Sequence, residues 1–593
     1  MRRFLIFVTV AVTTIGAGSA VLAPAARASG SSSTRRGFVL GHASSAPLPD
    51  RTSAAASSPT LGRDMQGMMA SPGLAAAKAT SDAAARPGAG PHLRAQPNTP
   101  VKLQQWTGIY DTSSGSPGDA TGAVGPNTVV QMVNSRIGLY LRSGSLVSSQ
   151  GLGIFLGLDQ AHCLSQPQIL WDPYTNMYYF SVLDYGLTLS GGDCPSGQET
   201  LWYGWSRSAS PATLTSSDWC ALHFDDYGAD GEIPDSPKLG DTKEFGLIGV
   251  NVFGPDTNPD LPYLRSDVVA FPKPAPTDPD VCPDSQATYS FKNLSDEGTW
   301  SGAIDGAGIP AYSPVPVVQT DPSSTGSIVS ADFNGSSAEP FYGFNPTGGS
   351  YLGNDVAVFT LTKVAGAPHV SAPALVPVTG FLWPTNAMQK GSSLRLDTQD
   401  GRLTQAMSGV DPAHATPSSQ AGAVWLQHTI RGGPGAMVKW YEIDPAAGQV
   451  LQSDVLINPS AWVFNGAISS DRQVVAGSGG TVLEANYGSA MVVGYDVSGV
   501  GSWVTLKMVS KIGTSARSAS VIVKTSTGVN NDYSCHASPN HLLCRWGDYA
   551  AASADPYPST TGRGHVLLVN EWVTKSTSPT NSDWRTFVWR ANP

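Results

Sequence analysis

Apolar residues along this chain recur in short alternating runs and do not follow a helical period. One run type appears seven times: a polar start, three or four alternating apolar residues, an aromatic residue or Leu, then a polar exit. The copies are RIGLYLRSG from Arg136, ETLWYGWSRS from Glu199, SDVVAFPKP from Ser266, NDVAVFTLTK from Asn354, AMVKWYEIDP from Ala436, SAMVVGYDVSG from Ser489 and WRTFVWRAN from Trp584. A period of two, filled by Val, Tyr, Phe and Trp, is the signature of strands. Most copies have a second apolar run upstream: TVVQMVNS, NMYYFSVLDY, EFGLIGVNVF, GSIVSADF, AGAVWLQHTI, RQVVAGS and HVLLVNEW. Before that lies a shorter run of smaller residues, as in GAVGPN, QPQILWDP, SPKLGD, PVVQTDP, FNGAISSD and CRWGDYAAASADP. Several of these end in Asp-Pro (Asp172-Pro173, Asp321-Pro322, Asp555-Pro556). Proline cannot donate to a ladder, so these pairs mark exits from strands.

Seven units of small-residue strand, apolar strand and aromatic strand predict an all-β fold, a single seven-bladed β-propeller over residues 100–593. Two stacked β-sandwiches are the rival, and the threefold order inside each unit favours the propeller. The units are irregularly spaced because loops such as 221–243 and 272–312 are long. VKLQQWTGIY (101–110) is expected to supply the outer strand of the last blade, closing the ring without a free edge.

In a propeller the first strand of each blade lines a central channel, which suits its small residues. Gln168, Lys238, Asp241, Arg545 and Asp548 fall on such strands and are the candidate ligand-binding residues, with Gln166 in a similar position. Strand alternation puts residues three apart on opposite faces. Arg545 and Asp548 are therefore expected not to touch. One should face a neighbouring blade and the other the channel, unless a bulge after Gly547 realigns them.

Three stretches, GDATGAVGPNTVVQMVNS (118–135), QPQILWDPYTNMYYFSVLDY (166–185) and CRWGDYAAASADP (544–556), resemble motifs of a widespread group of secreted bacterial propeller proteins. That group pairs a TGAVGPN opening with an RWGDY strand near the end. The resemblance lies in short stretches, in order, across most of 118–556. It implies the propeller fold and export, and it implies no catalytic residue.

Composition adds the compartment. Arg2 and Arg3, the apolar run Phe4 to Val12 and Ala26-Arg27-Ala28 make residues 1–28 a signal peptide. Its apolar run is too short to span a bilayer comfortably, and no later segment resembles a transmembrane helix, so the mature chain is expected to be extracellular and free of a membrane span. Residues 29–99 are rich in Ala, Ser, Pro and Gly and poor in large apolar residues, the composition of a disordered segment. Charged residues make up 13% of the chain and the net charge is −10, which argues against a nucleic-acid partner. The cysteines number six, which in an exported chain suggests three disulfides. Loop length alone favours Cys535–Cys544 and, after it, Cys163–Cys194 and Cys220–Cys282.

Candidate chemistry is sparse. There is no HExxH or HxH pattern, no GxSxG elbow and no Walker loop. Ser295-Asp296-Glu297-Gly298-Thr299-Trp300 approximates the Asp-box of sialidases but lacks its spacing residues, and an ordinary Asp-Gly turn accounts for it. Glycoside hydrolysis needs two carboxyls flanking a cleft. Glu232, Glu244, Glu442, Glu484 and Glu571, with Asp172, Asp235 or Asp548 as partners, offer candidates, and spacing selects no pair. In FDDYGADGEIPD, Asp225, Asp226 and Asp230 are candidate calcium ligands, weighed against a solvated acidic loop. Calcium is the one cofactor suggested. Trp106, Trp219, Trp300 and Trp383 are the loop tryptophans available to stack on sugars. The expected function is a secreted propeller that binds an extracellular polysaccharide or envelope component without catalysis. A propeller glycosidase or lyase using channel carboxylates and a structural scaffold are the alternatives.

Overall fold

The computed structural model describes residues 39–45 and 99–593, apart from 111–116, 159–160, 188–198, 226, 228–230, 255–262, 278–281, 293, 295–307, 335–352, 415–421, 478, 537–542 and 575–583. The described strands form seven antiparallel blades, each starting at the centre. Blade 1 is Thr121–Val124, Thr128–Val133, Arg136–Leu141 and Leu146–Gly151, and blade 2 is His162–Asp172, Met177–Leu187, Thr200–Ser206 and Trp219–Phe224. Blade 3 is Ile233–Asp241, Phe245–Phe253, Tyr263–Pro272 and Ser285–Phe291. In blade 4, Gly308–Pro316, Gly326–Asn334 and Gly353–Val364 are followed by Ala367–Val370 and Ala374–Phe381, which share the outer position. Blade 5 is Leu403–Gly409, Ala423–Ile430, Met437–Asp444 and Gln449–Leu456, and blade 6 is Trp462–Ser470, Ala490–Gly499, Ser502–Ile512 and Val521–Thr525. Blade 7 is Ala551–Ala554, Val566–Val573 and Trp584–Asn592, completed from the other end of the domain by Val101–Thr107. Each inner strand packs against the next, and that of blade 7 against that of blade 1, so the ring is closed.

The seven aromatic-ended runs lie in seven different blades, and 101–107 closes the last one as expected, with Trp106 opposite Val588. The apolar pattern follows radial position. Second strands such as Phe245–Phe253 and Val566–Val573 are buried at every residue, because a neighbouring blade covers each face. Val101–Thr107, on the rim, alternates exposed and half-buried residues. Aromatic strand ends meet between blades: the rings of Tyr203 and Phe271 stack with centroids 4.2 Å apart.

A bulge recurs in four of the first strands, those of blades 2, 3, 4 and 6. Gln166, Ser236, Ser313 and Asn465 all have positive φ, near 50°, and strand pairing skips around each. Pro167, Pro237, Pro314 and Gly466 follow them, residues suited to a place where the ladder is interrupted. The backbone N–H freed by each bulge is caught by the preceding blade. Gln166 donates to Asn134 Oδ1 (2.6 Å), Ser236 to Gln166 Oε1 (2.8 Å), Ser313 to Asn251 Oδ1 (2.7 Å) and Asn465 to Thr429 Oγ1 (3.3 Å). A local irregularity thereby becomes an inter-blade latch.

Two strand expectations need correction. RQVVAGS is not the second strand of blade 6. It begins a separate hairpin, Gln473–Ala476 with Val482–Asn486, and SAMVVGYDVSG takes the second position. Alternation along a run does not distinguish a blade strand from an inserted hairpin. PVVQTDP is also divided: its Pro316 ends the inner strand of blade 4, whereas Val318–Gln319 pairs in parallel with Leu403–Gly409 of blade 5.

Disulfides join Cys220 to Cys282 and Cys535 to Cys544. Cys163 is also disulfide-bonded, and its expected partner Cys194 lies outside the described residues. Such bonds suit an oxidising environment. Within the Ala/Ser/Pro/Gly-rich stretch, Val39–Ser45 is a strand pairing with the outer strands of blades 2 and 3. Residues 1–38 and 46–98 lie outside the described residues. Among the described residues no helix is long and apolar enough to cross a membrane.

Candidate functional site

The channel residues sort into three levels. At the first, the segment 545–550 is not extended: regular pairing stops at Cys544 and resumes at Ala551. The intervening turn folds Arg545 onto Asp548, with Nη2 2.8 Å from both carboxylate oxygens. The expectation that these two do not touch is therefore wrong, because strand alternation does not apply where the chain turns. Asp548 also accepts from Gln399 Nε2 of blade 5 (2.6 Å), and its N–H donates to Asp119 Oδ1 of blade 1 (2.8 Å). Arg545 and Asp548 are 8% and 3% exposed. Burial, reinforced by Asp119, Asp397 and Asp235, holds the Asp548 carboxyl above the ordinary carboxylate range despite Arg545. Arg402 completes this level, pairing with Asp400 and donating to Ser236 Oγ and the Tyr312 hydroxyl (2.7 Å each).

At the middle level, Lys238 is buried with Nζ 4.1 Å from the centre of the Tyr549 ring and with no hydrogen-bond partner. Burial and Arg402 push it down to about 8, against the pull of Asp548, Asp119 and Asp235. Gln168 borders the same cavity, whose volume is about 40 Å³. That is water-sized and far below the 300–1,000 Å³ or so of ligand pockets. Gln405 of blade 5 exchanges hydrogen bonds with Ala552 of blade 7, Nε2 to O at 2.6 Å and N to Oε1 at 3.2 Å, passing in front of blade 6.

At the third level, Asp241 ends its strand well away from Asp548. Lys273 Nζ lies 2.7 Å from both Asp241 and Asp172, all three side chains being at most 3% exposed. The hairpin from blade 6 covers this mouth. Asn176 of blade 2 donates to the carbonyls of Ala476 and Gly477 (3.2 Å each), and Gly480 packs so close to Tyr174 that a Cβ there would stand 2.7 Å from its ring. A void of about 20 Å³ remains beneath, between Val474, Trp171 and Met407.

Gln168, Lys238, Arg545 and Asp548 thus gather around one polar core, and Asp241 belongs to a separate ion triad. The other candidates are spread out. Glu232 is paired with Arg265, Asp235 accepts from Gln166 Nε2 (2.7 Å), Asp172 is held by Lys273, and buried Glu571 has Gly118 and Gly547 against its carboxyl. Asp225 pairs with His223 (2.7 Å), whereas Asp226 and Asp230 lie outside the described residues. Ser295 to Trp300 lie outside as well. Trp219 and Trp383 are buried and cannot stack on a sugar, and half-buried Trp106 packs against Tyr140.

Sequence reasoning missed two sites. One is buried His428, whose Nδ1 lies 2.8 Å from Gly401 O and Nε2 3.1 Å from the Tyr441 hydroxyl. Burial, with some help from Lys439, lowers its pKa to about 4. An unfolded histidine takes its proton near pH 6.5, so stability is complete above that value and is lost as pH falls towards 4. The loss amounts to roughly 3 kcal/mol. Urea midpoints of wild type and His428→Asn at pH 7, 5.5 and 4 are expected to converge on the acid side, and parallel profiles would refute this. The other missed site is Asp411, His414 and Glu442, whose ligand atoms lie within 4.8 Å of one another. The turn DPAH was visible in the sequence, but Glu442 arrives only through strand pairing.

No protein-family model matches the chain, and neither does any curated protein sequence. Among solved structures, an ACO/RPE65 chimera is 10% identical with a TM-score of 0.36, over 71% of this chain and 78% of the other. A Synechocystis apocarotenoid oxygenase mutant is also 10% identical, with a TM-score of 0.36 over 68% and 71%. A glycoside hydrolase is 8% identical, with a TM-score of 0.24 over 60% and 59%. Likenesses this loose carry no chemistry to this chain.

Proposed function

We propose that the protein is an exported, non-catalytic propeller that binds an extracellular polysaccharide or envelope polymer on its outer surface, at the face closed by the blade 6 hairpin. The observation that carries this reading is the closed channel. Its centre is water-sized, one mouth is covered, and the carboxyls of Asp548, Asp235 and Asp119 beside it are engaged in inter-blade bonds. A glycosidase needs two carboxyls on either side of a sugar-sized cleft. The leader, the disulfides and the resemblance of the TGAVGPN and RWGDY stretches to secreted propeller proteins support export. Around the covered mouth, Tyr557, Val482 and Leu483 are exposed, with the Arg142 guanidinium 4.8 Å from the centre of the Tyr557 ring. An amphipathic surface of this kind suits a polymer with apolar and polar faces.

The test is retention of the mature chain on a panel of insoluble polysaccharides and envelope fractions, with soluble products measured in parallel. Retention without product is expected, and it should weaken in the Tyr557→Ala and Leu483→Ser variants. Product release that disappears in Asp548→Asn would overturn the reading in favour of a glycosidase or lyase. Absence of retention would leave a structural scaffold.

A further inference from the structure

We propose that Asp411, His414 and Glu442 form a binding site for a divalent transition-metal ion, with zinc the preferred occupant. Asp411 and His414 stand in the turn that leaves the inner strand of blade 5, and Glu442 projects from that blade's third strand. The turn is held by Ala413 N–H donating to Asp411 Oδ1 (2.8 Å) and His414 N–H donating to Asp411 O (3.1 Å). This aims Asp411 Oδ2 at the imidazole, 2.6 Å from Nδ1, with Glu442 Oε1 3.3 Å from the same nitrogen. Ligand atoms around a tetrahedral zinc at about 2.0–2.2 Å stand roughly 3.3–3.6 Å apart. The three groups are already drawn together on the scale of a coordination sphere.

A second observation points to an occupant. The Glu442 side chain is 0% exposed, and no hydrogen bond reaches its Oε1. Its other oxygen accepts from Gln452 Nε2, and Gln452 is in turn braced by Lys511. Leaving a buried carboxylate oxygen unbonded is costly. His414 does not resolve this, because Nδ1 carries at most one proton and Asp411 is the nearer acceptor. A doubly charged ion bonds to both carboxylates and the nitrogen together. One imidazole nitrogen with two carboxylates suits zinc and its transition-metal neighbours, whereas calcium and magnesium take all-oxygen sets. His414 is 21% exposed while both carboxylates are buried, which leaves an entry path and an open position for water. Gln452 on Glu442 and the backbone on Asp411 are the outer contacts that orient metal ligands.

The experiment uses the full mature chain without a histidine tag, stripped with a chelator and titrated with zinc by calorimetry, with bound metal counted after dialysis. One zinc per chain is expected, with affinity reduced at least about 100-fold in Glu442→Gln and in His414→Ala. Thermal melts with and without zinc provide a second readout, since the ion should raise the wild-type midpoint and leave those of the variants unmoved. His414 is partly exposed, so its variant remains decisive if Glu442→Gln does not fold. The proposal is overturned if wild type takes up no zinc, if the variants bind it as wild type does, or if calcium displaces zinc at comparable concentration.

Discussion

Asp548→Ala is expected to destabilise the protein by about 3–5 kcal/mol, because it removes a carboxylate that pairs with a buried guanidinium. Arg545 Nη2 contacts both carboxylate oxygens of Asp548, and Gln399 would lose an acceptor at the same time. At 8% exposure, Arg545 has little water to replace them. The Gln399 contact ties blade 7 to blade 5 and goes with the side chain, whereas the backbone N–H donated to Asp119 of blade 1 is kept. Asp548→Asn keeps an acceptor oxygen without the charge and should fall between alanine and wild type. Urea unfolding of the three proteins at pH 7 checks the order. A wild-type midpoint for Asp548→Ala, combined with weaker polymer retention, would make Asp548 a ligand contact and not a strut.

Lys273→Ala is expected to cost a similar 3–5 kcal/mol at neutral pH, and its cost should depend on pH. Lys273 is the cation common to Asp172 and Asp241, and its removal leaves two buried carboxylates facing each other. Burial already raises Asp241 to about 6 against the pull of Lys273, and in the variant that pull is gone. A carboxyl whose folded pKa lies above its unfolded value contributes stability below the unfolded pKa and loses it as pH rises through the folded one. The deficit of Lys273→Ala should therefore be smaller near pH 4 than at pH 8. Midpoints at the two pH values decide the matter, and a deficit that is absent or independent of pH would rule out the triad as a stabilising lock.

Blade order was legible because each strand carries its own radial address in its composition. Small residues sit on inner strands, continuous apolar runs on second strands, and an alternating pattern on the rim strand at 101–107. Cys535 and Cys544 were pairable because they are nine residues apart, and a short loop closes at modest entropic cost. The same local logic failed at Arg545 and Asp548. Period-two alternation presupposes an extended chain, and Trp546-Gly547 sits in a turn whose shape depends on Asp119 and Asp496 in other blades. It failed again at RQVVAGS, where a strand-like run belongs to a hairpin reaching across the mouth.

The sequence by itself determined the all-β class, the sevenfold repetition, the closing strand and two of the disulfides, since each depends on residue type and near-neighbour spacing. Only the tertiary structure decided which charges pair, how far the channel is filled, and that Glu442 meets Asp411 and His414. Those outcomes depend on which side chains the ring brings face to face. Burial then fixes their strength, because a pair removed from water is neither screened nor free to exchange partners.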